Sequence, residues 1–562
     1  MISQHEGEVP AHDFGTRLAA RIIIFSAGLC WLYAGLRITT PVILVDEYAY
    51  LIGGRALDYL DRLKAVAPTV PQFGNSLFLR LIQVLSRSTV PVDVAVKLIN
   101  ALAIATAATW LAGTTLRCAD RRRALICTAL VAFYPLGSYA AYVLPESLYF
   151  LAFTGLVGVL LVSRGQSFPV WQAAGLLLGL LTLIKAHGLF ALAAFLTAIV
   201  VWGLWIERAS VKRVAGLCAV TLGGFGLVAI GGGLMVGSAA KVTSHSLVGD
   251  FYFEMAKAAF MSPDRLLPIL DYALLHLAAI LSLFGPAIAF LIRAICARHD
   301  DASSSSRYAF VGLFLLILIV SVVAVVAILV GQEPERVHLR YISFALPALL
   351  VLSVIWSAHR PDLESVGLRL FVVALWAGGA TLFLIRLPAL RLLPVDSPEL
   401  FFAYTSSEFG TFGLGVTAPW LLGGLVFVLG GLIIVNRVRW LDAQLAALVV
   451  LLGVAAVNTV VWQGRWSASQ APVRRAGEVA RLLCPPSDGG VIAFSTTESF
   501  PALYNAMSAV PRIVPLILVD ERMFPSRAAM LPAGTCVLTN LPAADLGTPD
   551  YASGGISLYR LR

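Results

Sequence analysis

Two adjacent carboxylates, Asp46 and Glu47, directly follow an apolar stretch, PVILV. A carboxylate is unfavourable inside hydrocarbon, so we expect this pair at a membrane boundary, facing water or a substrate. There it could act as a general base on an acceptor hydroxyl; the alternative is a solvated helix start, where acidic residues are favoured. Neighbouring helical residues point about 100° apart, so one carboxylate would do the chemistry and the other would position it. Asp46, nearer the membrane, is the preferred base.

A third carboxylate, Glu146, follows a proline in YVLPESLYF. Proline in the first turn with an acidic neighbour is typical of an ordinary helix N-terminus. The alternative is that Glu146 faces the same cavity as the first acidic pair. In that position it would orient the acceptor or bind a divalent cation; no other cofactor is expected.

Lys185 and His187 lie between two apolar runs, in LTLIKAHGLF. A lysine in such a place must extend to the interface, pair with an acid, or line a polar cavity. Its functional interpretation is a cation that binds the phosphate of a lipid carrier. His187 is interpreted as a local hydrogen-bonding group and not as a metal ligand.

A second basic group lies in GQEPERVHLRYISFALP, on the predicted outer face. Its members are Arg336, His338 and Arg340, followed by Tyr341. Basic residues are disfavoured on the outer face, so their presence needs another cause. Phosphate recognition is one, with Arg340 the strongest candidate because its planar fork matches phosphate oxygens. Salt bridges to Glu333 and Glu335 are the other.

The composition is that of a polytopic α-helical membrane protein. Of the 562 residues, 59% are hydrophobic and 13% are charged, whereas soluble domains carry roughly 25% charged residues. The net charge of +9 comes from basic residues dispersed over short loops, which argues against nucleic acid as a partner. The Ala-, Leu- and Arg-rich composition indicates a bacterial protein.

Two cysteines near the C-terminus, Cys484 and Cys536, could form a disulfide in an oxidising compartment.

At roughly 20 apolar residues per crossing, we predict about 13 transmembrane helices, of which the fifth and sixth could be one broken helix. Their approximate ranges are 20–44, 93–115, 124–141, 145–163, 170–184, 188–206, 214–237, 268–292, 308–330, 342–358, 366–385, 412–435 and 441–463. With a cytoplasmic N-terminus, every compact basic cluster between these helices lies inside. The outer face then receives the long, varied loops, as expected of the working side.

Two parts of the predicted outer face are distinctive. The first outer loop contains two amphipathic segments, Ala49–Leu63 and Asn75–Arg87, which are typical of helices lying on a membrane surface. Residues 1–463 would form the transmembrane catalytic domain. Residues 464–562 would form a small extracytoplasmic α/β domain. Its predicted helices are Pro472–Leu483 and Glu498–Ser508, and its predicted strands are Gly490–Ser495, Ile513–Val519, Thr535–Thr539 and Ile556–Tyr559.

Taken in order, these features resemble the GT-C superfamily of integral membrane glycosyltransferases, in particular the protein O-mannosyltransferase, aminoarabinose transferase and arabinofuranosyltransferase types. The features that carry the resemblance are the acidic pair after the first span, two surface helices, the Pro-Glu turn, the GLLLGLLTLIKAHGL segment and the late RY segment. The resemblance covers about residues 20–360 and lies in the pattern more than in the identity of residues.

The resemblance implies transfer of a sugar from a polyprenyl-phosphate donor to a glycan, lipid or protein acceptor on the outer face of the plasma membrane. The first-loop acid, Asp46 or Glu47, would be the catalytic base. Basic residues, above all Lys185 and Arg340, would hold the donor phosphate. An extra outer domain in similar enzymes often contacts the glycan acceptor. The sequence contains no nucleotide-binding motif, which agrees with a lipid-linked donor.

Two alternatives remain open from the residues alone. A polysaccharide polymerase or ligase would share the location but use a diphosphate-linked oligosaccharide. A secondary transporter or lipid flippase would use Lys185 and Glu146 as coupling or substrate-binding groups. Many transporters are built from internal repeats, and no clear repeat is visible in this sequence.

Overall fold

The structure is a computed structural model of the chain. It describes residues 14–38, 92–162, 167–237, 257, 261, 263–297, 303–330, 335–359, 365–403, 418–484, 490–496, 503–510, 514, 516–542 and 546–561. Asp46, Glu47 and both amphipathic segments of the first outer loop lie outside these residues. What the sequence predicts for them therefore stays a prediction.

Up to residue 484 the described part of the chain is predominantly α-helical. Its helices are α1 (Phe14–Leu36), α2 (Val92–Cys118), α3 (Arg121–Ala132), α4 (Glu146–Val162), α5 (Phe168–Ile184), α6 (His187–Val201), α7 (Val211–Gly237), α8 (Leu266–Cys296), α9 (Ser303–Val330), α10 (Leu346–His359), α11 (Val366–Arg386), α12 (Ala418–Ile434) and α13 (Trp440–Leu483). Helices suit an apolar environment because they satisfy every backbone hydrogen bond internally. Their buried faces form one continuous core.

Nine helical stretches among the described residues are long and apolar enough to cross a membrane: α1, α2, α3 together with the short helix after it, α6 together with the π-helix Trp202–Ile206 that continues it, α7, α8, α9, α11 and α13. The apolar helices α4, α5, α10 and α12 are shorter. The chain is therefore a multi-pass membrane protein. The number of about 13 crossings stays a prediction, because these four helices have fewer than the roughly 20 residues that span a bilayer.

The predicted fifth and sixth spans are two helices with a sharp break between them. Helix α5 ends at Ile184 and Lys185 has an extended backbone. The N–H of Gly188 donates to the Lys185 carbonyl at 3.0 Å. A Cβ atom on residue 188 would lie 2.2 Å from the Thr182 nitrogen, so this turn requires a residue without a side chain. The break places Lys185 at the junction of two helix ends.

A short 3₁₀ helix, Pro135–Ala141, connects distant parts of the chain at one end of the bundle. Nε2 of Gln463, on α13, donates to the carbonyl of Ser138 at 3.3 Å. The hydroxyl of Tyr139 donates to the carbonyl of Val395 at 2.8 Å. This 3₁₀ helix therefore brings α13 and the segment around residue 395 to the place where α4 begins.

The last predicted span and the first predicted helix of the tail are one continuous helix, α13, of 44 residues. The predicted boundary at 463/464 falls inside this helix. Pro472 is accommodated within it, although proline has no N–H to donate. No other proline interrupts the residues that join the two segments, so α13 runs from the bundle directly to the sheet.

A five-stranded sheet follows α13, with the order β2-β1-β3-β5-β4. Its elements are β1 (Val491–Ser495), α14 (Tyr504–Ala509), β2 (Leu516–Leu518), α15 (Phe524–Ala528), β3 (Cys536–Thr539), β4 (Tyr551–Ser553) and β5 (Ile556–Arg560). Strand β1 is parallel to β2 and β3, whereas β5 is antiparallel to β3 and β4. The sequence predicts all of these strands except β4. A disulfide joins Cys484 to Cys536 and ties the end of α13 to β3.

Candidate active site

Glu146 and Lys185 form a buried ion pair between the start of α4 and the end of α5. The Lys185 Nζ atom lies 2.7 Å from Glu146 Oε1, and the side chains are 10% and 6% exposed, respectively. Of the three predicted environments for Lys185, this is the one in which it pairs with an acid; it also lines a polar cavity. The second carboxylate oxygen, Glu146 Oε2, is buried and has no hydrogen-bond partner within the described parts of the chain.

The aromatic ring of Tyr341 lies among the predicted donor-binding residues. Lys185 Nζ lies 4.7 Å from the ring centroid and Arg340 Cζ lies 4.8 Å from it. Both distances are short enough for cation–π attraction. Nη2 of Arg340 also donates to the Tyr341 hydroxyl at 2.8 Å. The His187 ring stacks on Tyr341, with centroids 4.7 Å apart and 12° between the planes, so this tyrosine organises two cations and an imidazole.

These side chains enclose a cavity of about 10 Å³, the size of about one water molecule. Its lining residues are Leu136, Glu146, Tyr149, Lys185, His187, Arg340, Tyr341 and Phe344. The cavity therefore combines two cations and a carboxylate with aromatic and aliphatic walls. In this form it accommodates one small polar group, and a larger anion would require side chains to move.

One buried carboxylate, Asp396, contacts all three basic side chains of the 336–340 segment. Its side chain is 2% exposed. Nη2 of Arg336 lies 2.5 Å from Oδ2, Nδ1 of His338 lies 3.4 Å from Oδ1, and Nε of Arg340 lies 4.0 Å from Oδ1. A single negative charge thus holds three basic groups together at the edge of the cavity.

The carboxylates of Asp396 and Glu399, both in the segment between α11 and α12, titrate very differently. Burial alone would raise the pKa of Asp396, but the hydrogen bond from His338 and the charges of Arg340 and Arg336 lower it to about 2. Burial raises the pKa of Glu399, which is inaccessible to solvent, to about 7. One acid of this segment is therefore ionised at neutral pH, while the other lies near the midpoint of its titration.

The backbone of the 336–340 segment also makes hydrogen bonds to other parts of the chain. The N–H groups of residues 338, 339 and 340 donate to Nε2 of His276 at 3.0 Å, to Oγ of Ser397 at 3.0 Å and to the carbonyl of Asp396 at 2.6 Å. The Ser397 hydroxyl in turn donates to the carbonyl of Val337. Outside a helix or sheet, a buried backbone needs such partners, and here they come from two other segments.

Seven predicted site residues lie at one end of the bundle: Glu146, Lys185, His187, Arg336, His338, Arg340 and Tyr341. Asp46 and Glu47 are not among them because they lie outside the described residues. Phosphate recognition and salt bridges are the two reasons that the sequence offers for the basic residues at 336–340, and the structure contains a salt bridge. Its acidic partner is Asp396, whereas the sequence interpretation names Glu335 and Glu333, the latter outside the described residues.

The sequence interpretation misses Asp396, Ser397 and His276. The first two lie in PVDSPEL, where an acid and a hydroxyl between two prolines interrupt an apolar loop, and this is the only local signal. His276 is a lone histidine within apolar α8. Within the described residues no three His, Cys, Asp or Glu side chains converge as in a metal site. The divalent cation predicted at Glu146 stays a prediction, because the acids expected to face the same cavity, Asp46 and Glu47, lie outside the described residues.

Helix α1 ends at this same end of the bundle, and the predicted first outer loop begins after Ile38. The Lys97 ammonium group donates to the carbonyl of Ile38, the last described residue before the loop. A Cβ on Gly35 would lie 3.3 Å from the Ala141 Cα atom, at the end of the 3₁₀ helix that leads to α4. Asp46 follows Ile38 by eight residues, which reach no farther than about 28 Å at about 3.5 Å per residue.

Two solved structures share this architecture over nearly the whole chain. One is ArnT from Cupriavidus metallidurans bound to undecaprenyl phosphate, with a TM-score of 0.54, 12% identity, and coverage of 96% of this chain and 97% of that one. The other is the same protein in the apo state, with a TM-score of 0.52, 13% identity and the same coverage. No family model matches the chain, and no curated protein matches it. At these identities the likeness concerns the fold, and it extends beyond residue 360 into the C-terminal sheet.

Proposed function

We propose that this chain, which has the fold of the GT-C membrane glycosyltransferases, transfers a sugar from a polyprenyl-phosphate carrier to a hydroxyl of a glycan, lipid or protein acceptor. The observation that carries the proposal is the pair of cations around the Tyr341 ring, the buried Lys185 and the partly buried Arg340. The undecaprenyl phosphate bound to ArnT supports a polyprenyl phosphate as the carrier. The reaction would take place at the outer face of a bacterial plasma membrane, with the N-terminus in the cytoplasm.

The two cations suit a phosphate in different ways. The Lys185 ammonium has three N–H donors, of which one is directed at Glu146. The Arg340 guanidinium has five donors in a planar fork that matches phosphate oxygens, and one of them reaches Tyr341. Because the cavity is smaller than a phosphate, we propose that the incoming phosphate replaces Glu146 as a partner of Lys185. Glu146 would then be released to orient the acceptor.

The proposed reaction exchanges one C–O bond for another. The acceptor oxygen forms a bond to the anomeric carbon, and the bond from that carbon to the phosphate oxygen breaks. The electron pair of the broken bond stays on the polyprenyl phosphate, whose added negative charge is stabilised by Lys185 and Arg340. The acceptor proton passes to a carboxylate that acts as a general base.

Asp46 remains our proposed base, with Glu47 as the positioning neighbour. The departure of the first loop beside Lys97 and the 3₁₀ helix supports this assignment, since Asp46 is within chain reach of the cavity. We also propose that residues 464–562 contact the acceptor. A divalent cation bound by Glu146 is the alternative role that we propose for this carboxylate.

The test uses purified protein in lipid nanodiscs, supplied with polyprenyl-phosphate sugars and cell-envelope acceptors, with and without a metal chelator. We expect sugar transfer, and we expect Arg340→Ala to weaken donor binding about tenfold or more, as loss of a charge-assisted contact does. Arg293→Ala, an exposed basic residue in the last turn of α8, is the matched control and should change nothing.

Failure of the wild-type protein to bind any polyprenyl monophosphate would overturn the proposal. Transfer from diphosphate-linked oligosaccharides alone would support a polymerase or ligase in its place. Loss of transfer in the presence of the chelator would assign the metal a role, and unchanged transfer would remove the cation from the proposal.

A further inference from the structure

His276, on helix α8, accepts a hydrogen bond from a segment outside its own helix. The side chain is fully buried. Its Nδ1 atom lies 2.8 Å from the carbonyl of Tyr272, four residues earlier on the same helix. A carbonyl can only accept, so Nδ1 carries the proton and Nε2 is left as an acceptor. Nε2 receives the N–H of His338 at 3.0 Å, which is consistent with this tautomer.

We infer that His276 is a positioning residue that sets the orientation of Arg340 and Tyr341 through the backbone of residue 338. This inference rests on the proposed function of those two side chains, but the contact itself does not.

The contact is close enough in the chain to Arg340 and Tyr341 to affect their orientation. Residue 338 immediately precedes the 3₁₀ helix Leu339–Tyr341. Three consecutive N–H groups there bind acceptors outside the segment, and two of the acceptors belong to the 396–397 loop. The third, Nε2 of His276, comes from the long helix α8. His276 therefore anchors the backbone of this segment to the helical bundle, and without it the N–H groups of residues 338–340 would have acceptors outside the segment only in the 396–397 loop.

Substitution can separate the two hydrogen bonds of His276. A glutamine side chain ends as far from the backbone as Nε2 does, so its amide oxygen can accept from residue 338. An asparagine side chain reaches only as far as Nδ1, so it can reproduce the bond within α8 and not the bond to residue 338. His276→Gln is thus the conservative variant and His276→Asn the selective one.

His359 provides a matched control. Its Nδ1 atom also lies 2.8 Å from a carbonyl four residues earlier, that of Ile355. His359 is the last residue of α10, about 20 Å along that helix from the end next to Tyr341, at 1.5 Å per residue. His359→Asn therefore changes the same kind of helical histidine without changing the anchor.

Two measurements test the inference in nanodiscs. The first is hydrogen–deuterium exchange of the peptide covering residues 335–345 without any donor. The second is the binding of undecaprenyl phosphate to the purified protein. We expect His276→Asn to speed exchange in this peptide and to weaken binding about tenfold, because a buried N–H loses its acceptor. His276→Gln and His359→Asn should resemble the wild type in both measurements.

Equal exchange and binding in His276→Asn and His276→Gln would overturn the inference, because only the bond to residue 338 distinguishes them. Faster exchange throughout the protein in His276→Asn would also overturn it, because that result indicates a general structural role. If wild-type protein does not bind undecaprenyl phosphate, the proposed function fails, while the exchange data still decide whether His276 anchors the segment.

Discussion

The Nζ atom of Lys185 lies 2.7 Å from Oε1 of Glu146, although 39 residues separate them in the chain. Both side chains are buried, so each charge depends on the other for compensation. In such a pair the desolvation penalty is large, and the attraction offsets it only while both partners are present. The pair therefore links the stability of the bundle to the side chain that we propose as a phosphate ligand.

Glu146→Gln should destabilise the protein strongly, because it leaves Lys185 as an uncompensated buried cation. We expect the free energy of unfolding to fall by roughly 3–5 kcal/mol. Adding Lys185→Met should restore much of this free energy, since neither side chain then brings a charge into the interior. Chemical unfolding of the single and double variants in detergent measures this difference, and the double variant should remain inactive.

The ion pair between Asp271 and Arg386 serves as the control for this experiment. Its closest N–O distance is 2.6 Å, but its side chains are 49% and 42% exposed. Solvent screening should limit the effect of Asp271→Asn to below about 1 kcal/mol. Equal losses of unfolding free energy in Asp271→Asn and Glu146→Gln would contradict the importance that we give to burial.

Asp396 should stabilise the protein at neutral pH and cease to do so in acid. Its pKa is lowered from the ordinary value of 3.8 to about 2, so its contribution is present above about pH 4 and is lost as the pH falls through about 2. The size of the shift corresponds to about 2 kcal/mol. Chemical unfolding of the wild type and of Asp396→Asn should be measured across this pH range. The free energy of unfolding should fall in acid in the wild type and fall less in the variant.

Glu399 should have the opposite pH dependence. Its pKa is raised from 4.5 to about 7, so the folded state keeps the proton where the unfolded state releases it. Stability should fall by about 3 kcal/mol as the pH rises from about 4.5 to about 7 and should then level off. Glu399→Gln, which cannot ionise, should remove this slope; an unchanged slope in that variant would exclude Glu399 as its source.

Asp46→Asn should abolish sugar transfer without weakening the binding of undecaprenyl phosphate, because a general base acts on the acceptor and not on the donor phosphate. Donor binding and transfer, measured on the same preparation, separate the two steps. Glu47→Gln is the companion variant, and we expect it to lose less sugar-transfer activity than Asp46→Asn. Full transfer activity in both variants would refute the proposed base.

Much of the architecture follows from local properties of the sequence. Hydropathy locates the membrane helices, and short apolar runs locate four of the five strands, because both signals come from residues close together in the chain. The break at Lys185 is also local, since a lysine and a nearby glycine interrupt an apolar run. The order of the acidic and basic motifs was sufficient to indicate the GT-C fold, which the two ArnT structures support.

The sequence by itself determined that cations and a carboxylate would lie at helix ends, because charged groups are unfavourable within hydrocarbon. Only the tertiary structure decided that Lys185 pairs with Glu146, that Arg336, His338 and Arg340 share Asp396, and that His276 anchors their backbone. The reason is physical: hydropathy and helical periodicity act between neighbours in the chain. The partner of a buried charge depends on which distant helix ends and loops pack against it.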